Sequence, residues 1–171
     1  MPDTIWFPAE GLAMLPEGVL SFRLFPVCHP ELFDAVLTGE LGAVESMEVK
    51  RQGVATNWIW GAFKLPGRVY FAPERIWRER GSIDEYFGTL VNAYLEHGGK
   101  ATASRGGEVY VHVGTVHGYR EALQALEWAR DGEYEHLTGA AARSECRTRD
   151  GVRLRKGAPQ VRAEPIAWLK R

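Results

Sequence analysis

The twelve residues PGRVYFAPERIW, positions 66–77, decide how the middle of this chain is read. Taken with a period of two, Val69 and Phe71 point one way and Arg68, Tyr70 and Ala72 the other, and Pro73 stops the run. This predicts a strand over 68–72 whose Tyr70 is turned away from the core.

Working upstream, LSFRLF (20–25) alternates Leu20, Phe22 and Leu24 against Ser21, Arg23 and Phe25, the pattern of a half-buried strand. HPELFDAVLTGELG (29–42) offers Pro30 for a first helical turn, apolar Leu32, Phe33, Val36 and Leu37, and closing glycines at 39 and 42. A short helix is expected there. Residues 43–65 read as strand and loop, because Gly53, Asn57 and Gly61 interrupt the strand-like MEVKRQG and TNWIWGAFKL. Residues 1–18 read as a proline-marked lead-in, and 19–171 as a single domain.

Downstream, GSIDEYFGTLVNAYLEHGG carries apolar residues from Ile83 to Leu95 at helical spacing. A capping box of Ser82 and Glu85 opens it and Gly98 ends it. GGEVYVHVG (106–114) is a strand with Val109, Val111 and Val113 on one face and Tyr110 and His112 on the other, and HGYREALQALEWARDG a further helix. The tail reads as a hairpin around the Asp150-Gly151 turn followed by a last strand. Antiparallel strands interspersed with helices imply an α+β domain, not a doubly wound parallel sheet.

Composition agrees with a folded globular protein: of 171 residues, 45% are apolar and 25% charged. Cys28 and Cys146 are too few and too far apart for a disulfide framework, and no CxxC pair suggests zinc. With neither a basic, apolar leader nor a run of 18 apolar residues, a cytoplasmic protein without membrane insertion is expected. The net charge of −1 divides into +6 over residues 143–171 and −7 elsewhere, so the C-terminal end is a candidate surface for phosphates, nucleic acid included.

P-loop, GxGxxG, GxSxG, HExxH and EF-hand motifs are missing from the sequence. His112 and His117 straddle a strand end and a glycine, which fixes no common face for a metal, and none is expected. Residues 57–78 interleave Trp58, Trp60, Phe63, Tyr70, Phe71 and Trp77 with Lys64, Arg68, Arg75 and Arg78. That mixture suits stacking on unpaired bases beside phosphates, but core packing explains the same crowding, and with an acidic body overall the core reading is preferred.

A strand bearing SFR, a short glycine-ended helix, a variable loop, a strand VYFAP, a helix and then EVYVHVG together resemble the ADP-ribosyltransferase fold, whose cleft for NAD is built from a split antiparallel sheet. VYFAP is similar to the tyrosine-bearing strand of the poly-ADP-ribose polymerase and rifamycin-modifying branches. The resemblance covers about residues 19–170. It implies an NAD-dependent enzyme of toxin or modification type, with Tyr70 against the nicotinamide and Glu145 (Glu164 in reserve) as the catalytic acid. Ser21, Arg23, Tyr110 and His112 would line the NAD site, and the acceptor would be a protein, a nucleic acid or a small molecule. The chain departs from the family in having no His-Gly-Thr or Arg-Gly at the first motif, no Ser-Thr-Ser and no Glu-x-Glu. The other expectation is a noncatalytic nucleic-acid binder that uses segment 57–78 and the basic tail.

Overall fold

The computed structural model describes residues 3–131. They form a small mixed α+β domain. In chain order its elements are β1 (Thr4–Phe7), β2 (Leu20–Pro26), β3 (Asp34–Thr38), β4 (Val44–Val49), β5 (Trp58–Lys64), α1 (Gly67–Glu79), α2 (Phe87–Glu96), β6 (Ala101–Arg105), β7 (Val109–His112) and α3 (Val116–Asp131).

Five strands share one sheet in the order β4-β3-β5-β2-β6. Its paired neighbours are antiparallel except β2 and β6, which run parallel with Leu20 opposite Ala101. The sheet is therefore mixed, where an antiparallel one was expected. Its edges approach each other: Ala43, just before β4, bridges Thr102 of β6, and Arg105 Nη2 donates to Thr38 Oγ1 at 2.9 Å. Gly42 lies at this seam with φ of +76°, and a Cβ there would sit 2.5 Å from the Ala103 carbonyl oxygen, so both its backbone and its surroundings call for glycine.

The alternation read in LSFRLF is present, and both faces of β2 are buried. Leu20, Phe22 and Leu24 join Val36, Val44, Met47 and Trp60 in the main core, which is capped by Ile76 of α1 and by Val91, Ala93 and Tyr94 of α2. Residues Ser21, Arg23 and Phe25 face the other way, where the antiparallel pair β1–β7 covers the sheet: Trp6 and Tyr110 lie 5.9 and 5.6 Å from Phe25, ring centre to ring centre. Beyond that pair, α3 packs on β7 through Ala122. The order of layers is thus helix pair, main sheet, two-stranded sheet, α3.

The decisive stretch is a helix, not a strand. The first turn of α1 closes on the Pro66 carbonyl, which accepts from the amides of Val69 at 2.8 Å and Tyr70 at 3.1 Å. Val69, Ala72, Pro73 and Ile76 fall at i, i+3, i+4 and i+7 and turn toward the core. Pro73 lacks the amide that would have bonded Val69, a defect worth about 3 kcal/mol in an isolated helix. Burial of this face outweighs it. A five-residue apolar run satisfies both periods, and only the longer window from 69 to 76 separates them.

Residues 29–42 depart in the opposite sense. A 3-10 turn spans Pro30–Leu32, and the expected helix is replaced by strand β3, held between β4 and β5. Pairing on both edges overrides the local helical signal. Helix α2 begins only at Phe87: Ser82 adopts φ of +57° in the preceding loop, so the capping box is not formed, and Ile83 is exposed. Gly98, at φ +82°, ends the helix as expected. Two strands were not anticipated, β1 within the lead-in and β6, whose ATASR carries no large apolar residue to mark a face. The tail hairpin and last strand lie outside the described residues.

Candidate binding groove between the first two helices

Along α1, Tyr70, Pro73, Glu74, Trp77 and Arg78 follow one another at i, i+3, i+4, i+7 and i+8, so they form a single stripe. Together with Tyr86, Phe87 and Leu90 of the segment that starts α2, and with Leu65 and Asp84, that stripe lines an open groove of about 510 Å³. Phe87 is part of this lining. This ring stacks on Phe63 at 4.7 Å and meets Trp60 edge-on at 5.5 Å, which joins the groove to the main core. Tyr70 is 52% exposed and Trp77 38%, large values for aromatic side chains on a structured helix.

The start of α2 is held by a buried carboxylate. Asp34, at the start of β3, accepts hydrogen bonds on Oδ2 from the Trp60 indole at 3.3 Å and from the Gly88 amide at 3.2 Å. The second bond supplies from another strand the N-terminal cap that α2 lacks in its own sequence, and a carboxylate suits the positive end of a helix. Burial nevertheless holds the Asp34 carboxyl above its ordinary pKa, opposed by the two hydrogen bonds and by the charge of Lys50. Lys50 also stands 4.2 Å over the ring of Tyr86.

Every charged group on the groove has an intramolecular partner. Arg78 pairs with Glu74 one turn away. Asp84 receives Arg80 in a fork, Nη2 to Oδ1 at 2.9 Å and Nε to Oδ2 at 3.0 Å, and that contact raises the Arg80 pKa. The other bases of segment 57–78 are likewise engaged: Arg75 with Glu79 at 3.7 Å, Lys64 with Glu17 at 3.4 Å, and Arg68 with the Gly18 carbonyl at 3.1 Å. The aromatic stripe thus comes with its cations already neutralised or hydrogen-bonded.

Of the residues assigned to the NAD cleft in the sequence that fall within the described residues, Tyr70 alone lies on the groove, on a helix instead of a strand. Ser21 and Arg23 are buried on the opposite face of the main sheet. Ser21 donates to the Pro16 carbonyl at 3.1 Å. Arg23 donates to the Gly106 carbonyl and to Ser104 Oγ at 3.4 Å, and Gly11 is so close that a Cβ there would meet Nε at 3.0 Å. Its Nε has no hydrogen-bond partner, and burial lowers its pKa against the opposing charge of Glu108. Enclosed in this way, Arg23 clamps β2 to the β6–β7 connection and presents no open surface to a ligand.

Tyr110 packs between Phe25 and Phe33 in the same outer layer. Its hydroxyl is buried without a hydrogen bond of normal geometry, although Thr4 is near enough to act on it, and burial pushes its pKa up to about 12. His112 pairs with Asp3 at 3.1 Å and His117 with Glu121 at 3.1 Å. Among the described residues no cluster of three or more histidine, cysteine or acidic side chains is placed to hold a metal ion. Glu145 and Glu164 lie outside the described residues.

Trp77 and Arg78, named in the sequence among the aromatic and basic residues of 57–78, also line the groove, while Tyr86, Phe87 and the supporting Asp34 were missed. The strand reading hid the helical stripe Tyr70-Pro73-Glu74-Trp77. Asp34 gave no signal, since its partners are 26 and 54 residues away. No protein-family model matches the chain, and no curated protein matches it either. Among the described residues no helix is long and apolar enough to cross a membrane.

Proposed function

We propose that the protein binds a small, flat, largely apolar and uncharged ligand in the groove between α1 and α2. The observation that carries this reading is the wall of four aromatic rings, Tyr70, Trp77, Tyr86 and Phe87, in a groove whose charged side chains are already paired. Its volume of about 510 Å³ lies in the range of small-molecule sites. Rings recognise a planar apolar body by stacking and edge contacts, while the Tyr70 and Tyr86 hydroxyls and the Trp77 indole offer orientation at its rim. Arg75, Arg78 and Arg80 each stand beside an acidic side chain one turn away, so the field they offer a polyanion is largely cancelled.

ADP-ribosyl transfer from NAD, with Tyr70 and Glu145 as catalytic pair, is the second reading. The exposed Tyr70 ring supports it, because nicotinamide is itself a flat ring. Against it stand the separation of Tyr70 from Ser21, Arg23 and Tyr110 by the main sheet.

The test is a fluorescence titration of the full chain with N-phenyl-1-naphthylamine, a neutral two-ring probe, alongside NAD and an oligothymidylate. The expected result is saturable one-to-one binding of the neutral probe, at least tenfold weaker in Trp77→Ala and Tyr70→Ala, with no release of nicotinamide from NAD. Salt-sensitive binding of the oligothymidylate without the probe would move the reading to nucleic acid, and nicotinamide release would move it to ADP-ribosyl transfer.

A further inference from the structure

Over residues 116–127, helix α3 carries its large apolar side chains on the outside. It buries Gly118, Ala122 and Ala125, small residues that bring it close to β7, and Gly118 approaches the His112 carbonyl so nearly that no side chain fits. Its bulky apolar side chains point elsewhere: Val116 is 73% exposed, Tyr119 55%, Leu123 45% and Leu126 47%. Their spacing of three, four and three residues is that of a helix–helix seam. At about 100° per residue the seam is centred roughly a third of a turn away from the face on β7. It is therefore a second packing face and not the margin of the first.

One flank of this seam is the side toward β7. The other carries Arg120 and Glu127, exposed and of opposite charge. Seven residues set them about 10 Å apart along the axis, too far for an ion pair with each other. We propose that the seam pairs with the same seam of a second copy of this chain, the two α3 helices antiparallel about a two-fold axis. In that arrangement like flanks face each other, so Arg120 of one copy approaches Glu127 of the other, and the exchange is reciprocal. A parallel pair would set Glu127 against Ala122 and satisfy neither charge. The charge order along α3 is thus self-complementary for one orientation, which a purely apolar face would not be. About three turns of seam are too short for a permanent interface, and the expected dimer is a reversible one with Kd in the micromolar range.

Sedimentation velocity of the full chain from about 1 to 300 μM tests the proposal. The wild type should pass from monomer to dimer across that range, while Leu123→Glu, whose side chain lies outside both cores, should remain monomeric with an unchanged circular dichroism spectrum. Arg120→Glu places like charges opposite Glu127 and should weaken the dimer about tenfold. Adding Glu127→Arg to it should restore the wild-type constant. A wild type that stays monomeric throughout, as it would if residues 132–171 cover the seam, overturns the proposal. So does a dimer indifferent to Leu123→Glu, and failure of the double charge swap to restore affinity overturns the antiparallel two-fold arrangement.

Discussion

Asp34 Oδ2 accepts the Gly88 amide at 3.2 Å, so the first strand residue of β3 caps a helix that begins more than fifty positions later. This bond helps to position Phe87, the next residue back and part of the groove lining. It also makes the wall of the site depend on a carboxylate that the fold holds in a poor environment for its charge.

Stability should therefore respond to pH through Asp34. Its folded-state pKa is raised by burial, so between the ordinary aspartate value and the folded value the native state binds more protons than the unfolded chain. The contribution of this group is then most favourable at low pH and is lost as pH rises through the folded pKa. Urea unfolding across pH should show that slope in the wild type and a flatter profile in Asp34→Asn. Asp34→Ala, which leaves the Trp60 and Gly88 donors without an acceptor, should lose about 2–4 kcal/mol at any pH.

Gly88→Ala should destabilise the protein despite the higher helix propensity of alanine. An added Cβ would stand 2.7 Å from Asp34 Oδ2 and 2.8 Å from Val49 Cγ2. The propensity gain of about 1 kcal/mol is smaller than the crowding, and a net loss of about 1–2 kcal/mol is expected in the unfolding midpoint.

Much of this organisation was legible in the sequence, and what was not has physical causes. LSFRLF, VYVH and the helices ending near Glu96 and beginning near Val116 stood out because their periodicity is long or their punctuation clear. The failures fall where a short apolar run fits two periods. VYFAP passes for a strand until Ile76 is included, and DAVLT passes for a helix until its two neighbouring strands are known. Strand β6 had no apolar signal at all, because a small-residue strand in parallel pairing is specified by what it lies beside. The site followed the same division: Tyr70 was identified for its exposure, in the wrong element, while Asp34 belongs to the site only through long-range contacts.

Tyr110 should titrate late. With its pKa pushed up to about 12, its hydroxyl stays protonated through the range in which exposed tyrosines ionise. Stability should fall as pH climbs from about 10 toward 12, because the unfolded chain releases this proton first. Tyr110→Phe should remove that part of the alkaline loss in an unfolding series, and at neutral pH it should change stability by less than about 1 kcal/mol, since the hydroxyl it deletes has no well-formed hydrogen bond.

Arg23→Ala should damage the fold and spare the groove. It strands the Gly106 carbonyl and Ser104 hydroxyl and leaves a void beside Gly11, a loss of about 3 kcal/mol, yet Arg23 lies across the main sheet from Tyr70 and Trp77. Affinity for the neutral probe, measured well below the melting temperature, should stay within about twofold of wild type. A large loss of affinity without loss of stability would place Arg23 in a binding site.

The most direct test of the account is a nitrogen–proton correlation spectrum of the full chain titrated with N-phenyl-1-naphthylamine. The groove reading predicts shifts concentrated at Tyr70, Glu74, Trp77 and its indole, Tyr86, Phe87 and Leu90, with the Gly88 amide following through its bond to Asp34. Shifts centred on Ser21, Arg23, Tyr110 and His112, or none anywhere at saturating probe, would contradict it.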